Sequence, residues 1–200
     1  STSAQCSPAQ QGEYLKLMGS ASLCTATFCS VLGAPSLSFL PTIMAQNLTS
    51  LEHTGAQVIA GPKAVSTADG AEEDAHTLWR MRVLLVRSQI SAVGILVAQL
   101  SKFSHPYIPR ILSATMALEG ISEAHPERAT IREDVDRCLS TIATKIPTRL
   151  SIPLLLQSAP TILAAGHGAA ARFADLMAEV WQQLDRATVV AHLGPLSTLA

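Results

Sequence analysis

Trp79, Val83, Val86, Ile90, Val93, Val97 and Leu100 follow one another in steps of four and three. That alternation keeps seven apolar side chains on one stripe of a long helix. Leu85, Ala92 and Leu96 widen the stripe, and the spacing predicts a helix from about Ala75 to Phe103. A helix this apolar must find cover on more than one side. The stripe therefore constrains the fold more than any other feature of the chain.

The same step recurs elsewhere. Leu17, Ala21, Cys24, Phe28 and Val31 predict a core-facing stripe over Glu13–Leu32. Ile131, Val135, Leu139, Ile142 and Ile146 predict another, with Arg132, Asp134, Asp136 and Arg137 on its wet side. Phe173, Met177, Val180, Leu184 and Ala187 give a last one. Thr130 and Glu133 have capping-box spacing.

Three hexamers punctuate these helices: FLPTIM (39–44), YIPRIL (107–112) and SIPLLL (151–156). Proline lacks an N–H and has a fixed φ, which suits the first turn of a helix. Pro41, Pro109 and Pro153 are thus read as the starts of second helices in consecutive hairpins. They are spaced by 68 and 44 residues. HEAT and armadillo units run to about 40–47 residues, so the second interval fits and the first carries extra chain. That extra chain is read as a flexible insertion at 61–74, GPKAVSTADGAEED. One hairpin buries only part of its apolar surface, and stacking completes the core. The expected fold is all-α, a right-handed solenoid of HEAT-like (armadillo-type) hairpins at about 13–60, 75–120, 127–165 and 167–200, after a flexible segment 1–12.

Composition supports burial on this scale. Of 200 residues, 48% are apolar and 14% charged, against roughly 25% charged in an average chain. With a first residue Ser1 and apolar ends expected, the chain reads as an excerpt of a longer array. The net charge of −1 lacks the basic excess of a free-standing nucleic-acid-binding domain, so RNA contact would have to be local. Cys6, Cys24, Cys29 and Cys138 form no CxxC pair and read as reduced core thiols. Asn47–Thr49 fits a glycosylation pattern without other signs of secretion. The run Val83–Leu100, broken by Arg87 and Gln89, is not expected to span a membrane.

Motifs for chemistry are sparse. The six histidines are dispersed, GHG (166–168) lacks the strand and lysine of a phosphate loop, and no serine sits in a nucleophile elbow. No catalytic, cofactor or metal residues are assigned. Arg80 and Arg87 share a helix face, and Lys102 and Arg110 follow around the next turn. These four are the candidate contacts for phosphates or an acidic partner. The same residues, with Arg82, also read as a solvated face whose stems cover apolar surface. Lys145 and Arg149 have the same two readings, and Arg149 a third, capping carbonyls at the preceding helix end.

LSKFSHPYIPRILS (100–113), CLSTIATKIPTRLSIPLLLQSAPTIL (138–163) and LGAPSLSFLPTIM (32–44) resemble, in order, the helix junctions in the C-terminal half of the HEAT repeat-containing protein 1 family. These are large nucleolar proteins of the small-subunit processome. Ser151 and Pro160 depart from the family pattern. The resemblance implies a non-enzymatic scaffold in the nucleus and nucleolus. It implies work beside a box C/D small nucleolar ribonucleoprotein in pre-rRNA processing, with a link to transcription by RNA polymerase I. Its partners would be other processome proteins, with possible contact to small nucleolar RNA or pre-rRNA, and no membrane or small-molecule substrate. Arg149 belongs to the repeat-defining residues under this resemblance. The rival class is a HEAT or armadillo adaptor in nuclear transport or trafficking. The mismatched positions of Trp79 and Trp181 speak against its repeated binding ladder.

Overall fold

The computed structural model describes residues 7–62, 71–123 and 125–184. Among them the chain is all-helical. Seven α-helices run in order: α1 (Pro8–Leu32), α2 (Leu40–Ile59), α3 (Ala71–Leu100), α4 (Ile108–Ala117), α5 (Arg128–Lys145), α6 (Thr148–Ala164) and α7 (His167–Gln182), with short 3-10 turns between some of them.

Helix α1 starts ahead of the expected Glu13. Ser7 Oγ accepts from the Gln10 N–H and Gln10 Oε1 accepts from the Ser7 N–H, with Pro8 at the helix start. This capping box satisfies two otherwise free donors. Residues 1–6 and 63–70 of the segments expected to be flexible lie outside the described residues, whereas 8–12 and 71–74 are helical. The expected Thr130–Glu133 box does not form: α5 begins at Arg128, with Glu127 as its cap, so Thr130 is already inside the helix.

Pro41 and Pro109 occupy the first turns of α2 and α4, as their missing N–H groups favour. Pro153 does not. Helix α6 begins at Thr148, capped by Pro147 at φ −53° and ψ 129°, and Pro153 and Pro160 both lie inside it. Pro147 lies just ahead of the helix and its carbonyl accepts from the Leu150 and Ser151 N–H groups, so the turn that Pro153 was expected to open is already formed. Each internal proline then costs α6 one backbone hydrogen bond.

Helices pack with the next but one. The odd-numbered helices form one row, α1 on α3, α3 on α5 and α5 on α7, while α2 packs on α4 and α4 on α6 in a second row. Both rows are parallel. Gly12 faces Met81 and Gly19 faces Ser88, so residue n of α1 meets residue n+69 of α3. Gly94 faces Cys138 at an offset of 44. Asp136 pairs with Arg172, and Ser140 Oγ donates to Glu179 Oε1. In the second row Glu52 meets Arg110 and Gly55 meets Leu118. Between rows the direction reverses, because Trp79 reaches Val58 and Gln89 reaches Ser50.

The core runs between the rows. All seven residues of the α3 stripe are buried, as are Leu40, Met44, Leu48 and Leu51 of α2 and Ile108, Ile111 and Leu112 of α4. Each such side chain contributes about 1.5–3 kcal/mol. The α5 stripe, including Ile131, Val135, Ile142 and Ile146, is buried as expected. Asp134 is not on its wet side; it is buried against α3.

The stripe expected on α1 faces the wrong way. Leu17, Phe28 and Val31 are 67, 67 and 81% exposed, and Ala21 and Cys24 are exposed with them. The buried side carries Gly12, Gly19 and Ala26 instead. A Cβ on Gly19 would lie 3.1 Å from Ser88 Oγ, so a side chain there would press on Ser88 unless α3 gave way.

Candidate interaction surface

The four cations singled out in the sequence do not form one patch. Arg87 Nε donates to Asp134 Oδ2 at 2.7 Å, tying α3 to α5, and Arg137 reaches the other oxygen at 3.0 Å. Arg110 donates from Nε and Nη2 to the two oxygens of Glu52, each at 2.7 Å, and from Nη2 to Thr49 Oγ1, tying α4 to α2. The Arg110 hydrogen bond holds the Glu52 carboxyl below its ordinary range. Two of the four guanidinium and ammonium groups are thus already matched to carboxylates within the fold. Lys102 Nζ sits 5.2 Å above the Phe103 ring, and Arg80 is exposed. Arg149 lies in the first turn of α6, exposed.

The strongest electrostatic feature was not foreseen. Glu119, in the 3-10 turn after α4, is 8% exposed and receives Arg132 at 2.7 Å, Arg172 at 2.6 Å and Arg128 at 3.7 Å. Arg128 also meets Glu123 at 3.2 Å, and Arg172 pairs with Asp136. The knot joins the turn after α4, α5 and α7. Burial alone would raise the Glu119 pKa, but Arg132 and Arg172 outweigh it and hold the carboxyl below its ordinary value. Gly168 leaves the room: a Cβ there would stand 3.2 Å from Glu119 Oε2. Arg128, Arg132 and Glu133 crowd one short segment, which was a signal in the sequence. Their anionic partner was not, because Glu119 stands nine residues ahead of Arg128 with no periodic pattern linking them.

A second junction lies at the start of α3. Trp79 Nε1 donates to the Val58 carbonyl at 3.1 Å, and its ring lies 3.9 Å from that of His125, tilted by 42°. The Glu127 N–H donates to His125 Nδ1. Burial lowers the His125 pKa, Glu127 opposes this and His76 adds to it.

Among the described residues no three His, Cys, Asp or Glu side chains gather as they would around a metal ion. Cys138 is fully buried and its thiol is pushed up to about 12 by desolvation, while Cys24 is exposed. Open grooves occur between α3 and α5, about 310 Å³ beside Ile90, Gly94 and Cys138, and between α1 and α2, about 570 Å³ beside Tyr14, His53 and Arg82. Two helical stretches, Ala9–Leu32 and Glu73–Phe103, are long and apolar enough to cross a membrane. The second is mostly buried inside the fold and the first is mostly exposed.

The outward side of α1 is an exposed apolar strip. Tyr14, Leu17, Phe28 and Val31 extend along it, and no charged residue occurs from Leu17 to Leu51. No family model matches the chain, and neither a curated protein nor a solved structure is significantly similar to it.

Proposed function

We propose that the chain is a stretch of HEAT-like α-solenoid acting as a non-enzymatic scaffold in ribosome biogenesis. The observation that carries the fold half of this reading is the agreement of two spacings. The Pro41 and Pro109 junctions lie 68 residues apart, and the parallel helices α1 and α3 meet at an offset of 69. One hairpin laid beside the next, in the same direction, produces that agreement. A right-handed turn of the array is part of the proposal.

The junction sequences carry the functional half. SKFSHPYIPR and KIPTR resemble those of the nucleolar HEAT repeat-containing protein 1 family. The reading places the protein in the small-subunit processome, with the box C/D ribonucleoprotein, in pre-rRNA processing and in support of RNA polymerase I transcription. It would hold several protein partners at fixed separations along its faces. Contact with small nucleolar RNA or pre-rRNA would fall to exposed cations such as Arg80 and Lys102, not to Arg87 and Arg110, whose charges are already matched.

The test is affinity capture of the full-length protein from cells. Pre-ribosomal proteins and small nucleolar RNA are the expected companions. Importins or coat proteins in their place would replace the scaffold with an adaptor.

A further inference from the structure

Helices α1 and α2 both pack on α3 but have little contact with each other. A cleft of about 570 Å³ opens between them, with α3 as its floor. Small-molecule sites run to roughly 300–1,000 Å³, so the cleft is of ligand size. Leu15 and Met18 of α1 and Leu85 of α3 give it apolar walls, while Ser50 and Thr54 of α2 and Arg82 of α3 bring polar groups into it.

Those polar groups are donors without acceptors. Arg82 is partly buried and pairs with no carboxylate of the described residues, in contrast to Arg87 and Arg110. Thr54 is only 4% exposed. Thr115, Thr141 and Thr144 each donate to the carbonyl four residues back. The Thr54 hydroxyl makes no such bond and has no partner among the described residues. Ser50 Oγ accepts from Gln89 Nε2, so its own hydrogen is left to donate. Trp79 with Val58 and Gln89 with Ser50 set the antiparallel register of α2 on α3. Arg82 and Thr54 fall between these two pairs, about one helical turn apart. A buried hydroxyl without a partner is costly to keep, and a cation beside two hydroxyl donors suits an anion.

We propose that the cleft binds a small amphiphilic monocarboxylate. The carboxylate sits between the Arg82 guanidinium and the Thr54 and Ser50 hydroxyls, and the apolar body lies along Leu15, Met18 and Leu85. Charge sets the class of ligand, because Arg82 is joined in the lining by no Asp or Glu. The walls set its shape: a bare inorganic anion would leave them in water, whereas an alkyl chain removes them from it. The site goes beyond the scaffold reading, and its failure would leave that reading untouched.

Isothermal titration calorimetry of the 200-residue chain with decanoate tests it, with far-ultraviolet circular dichroism on every variant to confirm helicity. Saturable one-to-one binding is expected. Arg82→Met keeps an apolar stem and should weaken binding about tenfold or more, as the loss of a charge-assisted contact does. Thr54→Val should weaken it about threefold. The same variant should raise the melting temperature of the ligand-free chain, because a buried hydroxyl without a partner becomes a methyl. A Leu17→Glu, Phe28→Glu double variant, altered on the outer side of α1, should bind as the parent does. Absence of saturable binding overturns the proposal, and so does equal affinity in Arg82→Met. Binding lost in the double variant but kept in Arg82→Met overturns it in favour of the outer strip. A Thr54→Val chain that melts lower and binds decanoate as the parent does overturns it by making the hydroxyl structural. Tighter binding of a short acetylated peptide ending in leucine overturns it in favour of a protein C-terminus.

Discussion

Helices α1 and α3 are both long and apolar and lie side by side in parallel, yet they solve opposite problems. Helix α3 has α1 on one side, α5 on the other and α2 beneath, and its whole stripe from Trp79 to Leu100 is buried. Helix α1 is covered chiefly by α3. It buries glycine and alanine and leaves Leu17, Phe28 and Val31 outside. The same apolar composition is core in one helix and surface in the other, and the number of neighbours decides which. Close approach, not apolar bulk, holds α1 in place.

The sharpest way to break this contrast is to truncate equivalent side chains. Ile90→Ala in α3 should cost about 3–4 kcal/mol, within the usual span for a buried aliphatic side chain. Phe28→Ala in α1 should stay within about 0.5 kcal/mol, as surface changes do. Urea denaturation measures both, and a similar loss at the two positions would end the comparison. Next in size is Glu119→Gln. It leaves the guanidinium groups of Arg128, Arg132 and Arg172 gathered without their shared anion, at a cost of about 2–3 kcal/mol. A stability equal to the parent's in the same titration would mean the knot is solvated. Gly19→Leu wedges α1 away from α3 and should cost about 1–3 kcal/mol by overpacking. A Leu at the exposed Ala21 position should be silent in thermal melts.

The smallest effect is electrostatic. The His125 pKa is lowered in the fold, so the folded state favours neutral imidazole. That contribution is complete above the unfolded value of about 6.5 and is lost as pH falls through the lower folded value. The melting temperature should therefore begin to drop on acidification below pH ~6.5, and His125→Asn should flatten that part of the profile. Glu119, whose pKa is also lowered, begins to lose its contribution only below the ordinary carboxylate value of about 4.3, so the first part of the drop is not its own.

Much of the helix order was legible because periodicity reports local structure. The α3 and α5 stripes needed nothing beyond the spacing of Val, Ile and Leu. The orientation of α1 was not legible by that rule, since the rule assumes that the largest apolar residues point inwards. Gly12, Gly19 and Ala26 recur every seven residues, and a small-residue reading of that heptad would have found the buried side. Pro153 misled for a different reason. A proline suits a helix start, but Pro147 had already taken that place, and α6 accommodates the later ring inside. The surface was harder still. Arg87 finds Asp134 47 residues away and Arg110 finds Glu52 58 away, and no local pattern tells a free cation from one matched across the fold.

The next-but-one packing also shapes how the molecule comes apart. Helices α3, α5 and α7 each touch their row neighbours and a helix across the core, whereas α1 chiefly touches α3 and has no substantial contact with α5 or α7. Loss of α1 therefore bares α3 without disturbing the Glu119 knot. Opening need not be all-or-none, and amide protons would be released in order along the row. The backbone of α1 would exchange at the lowest free energy, while the buried half of α3, held from both sides, would be the last to give up its protons.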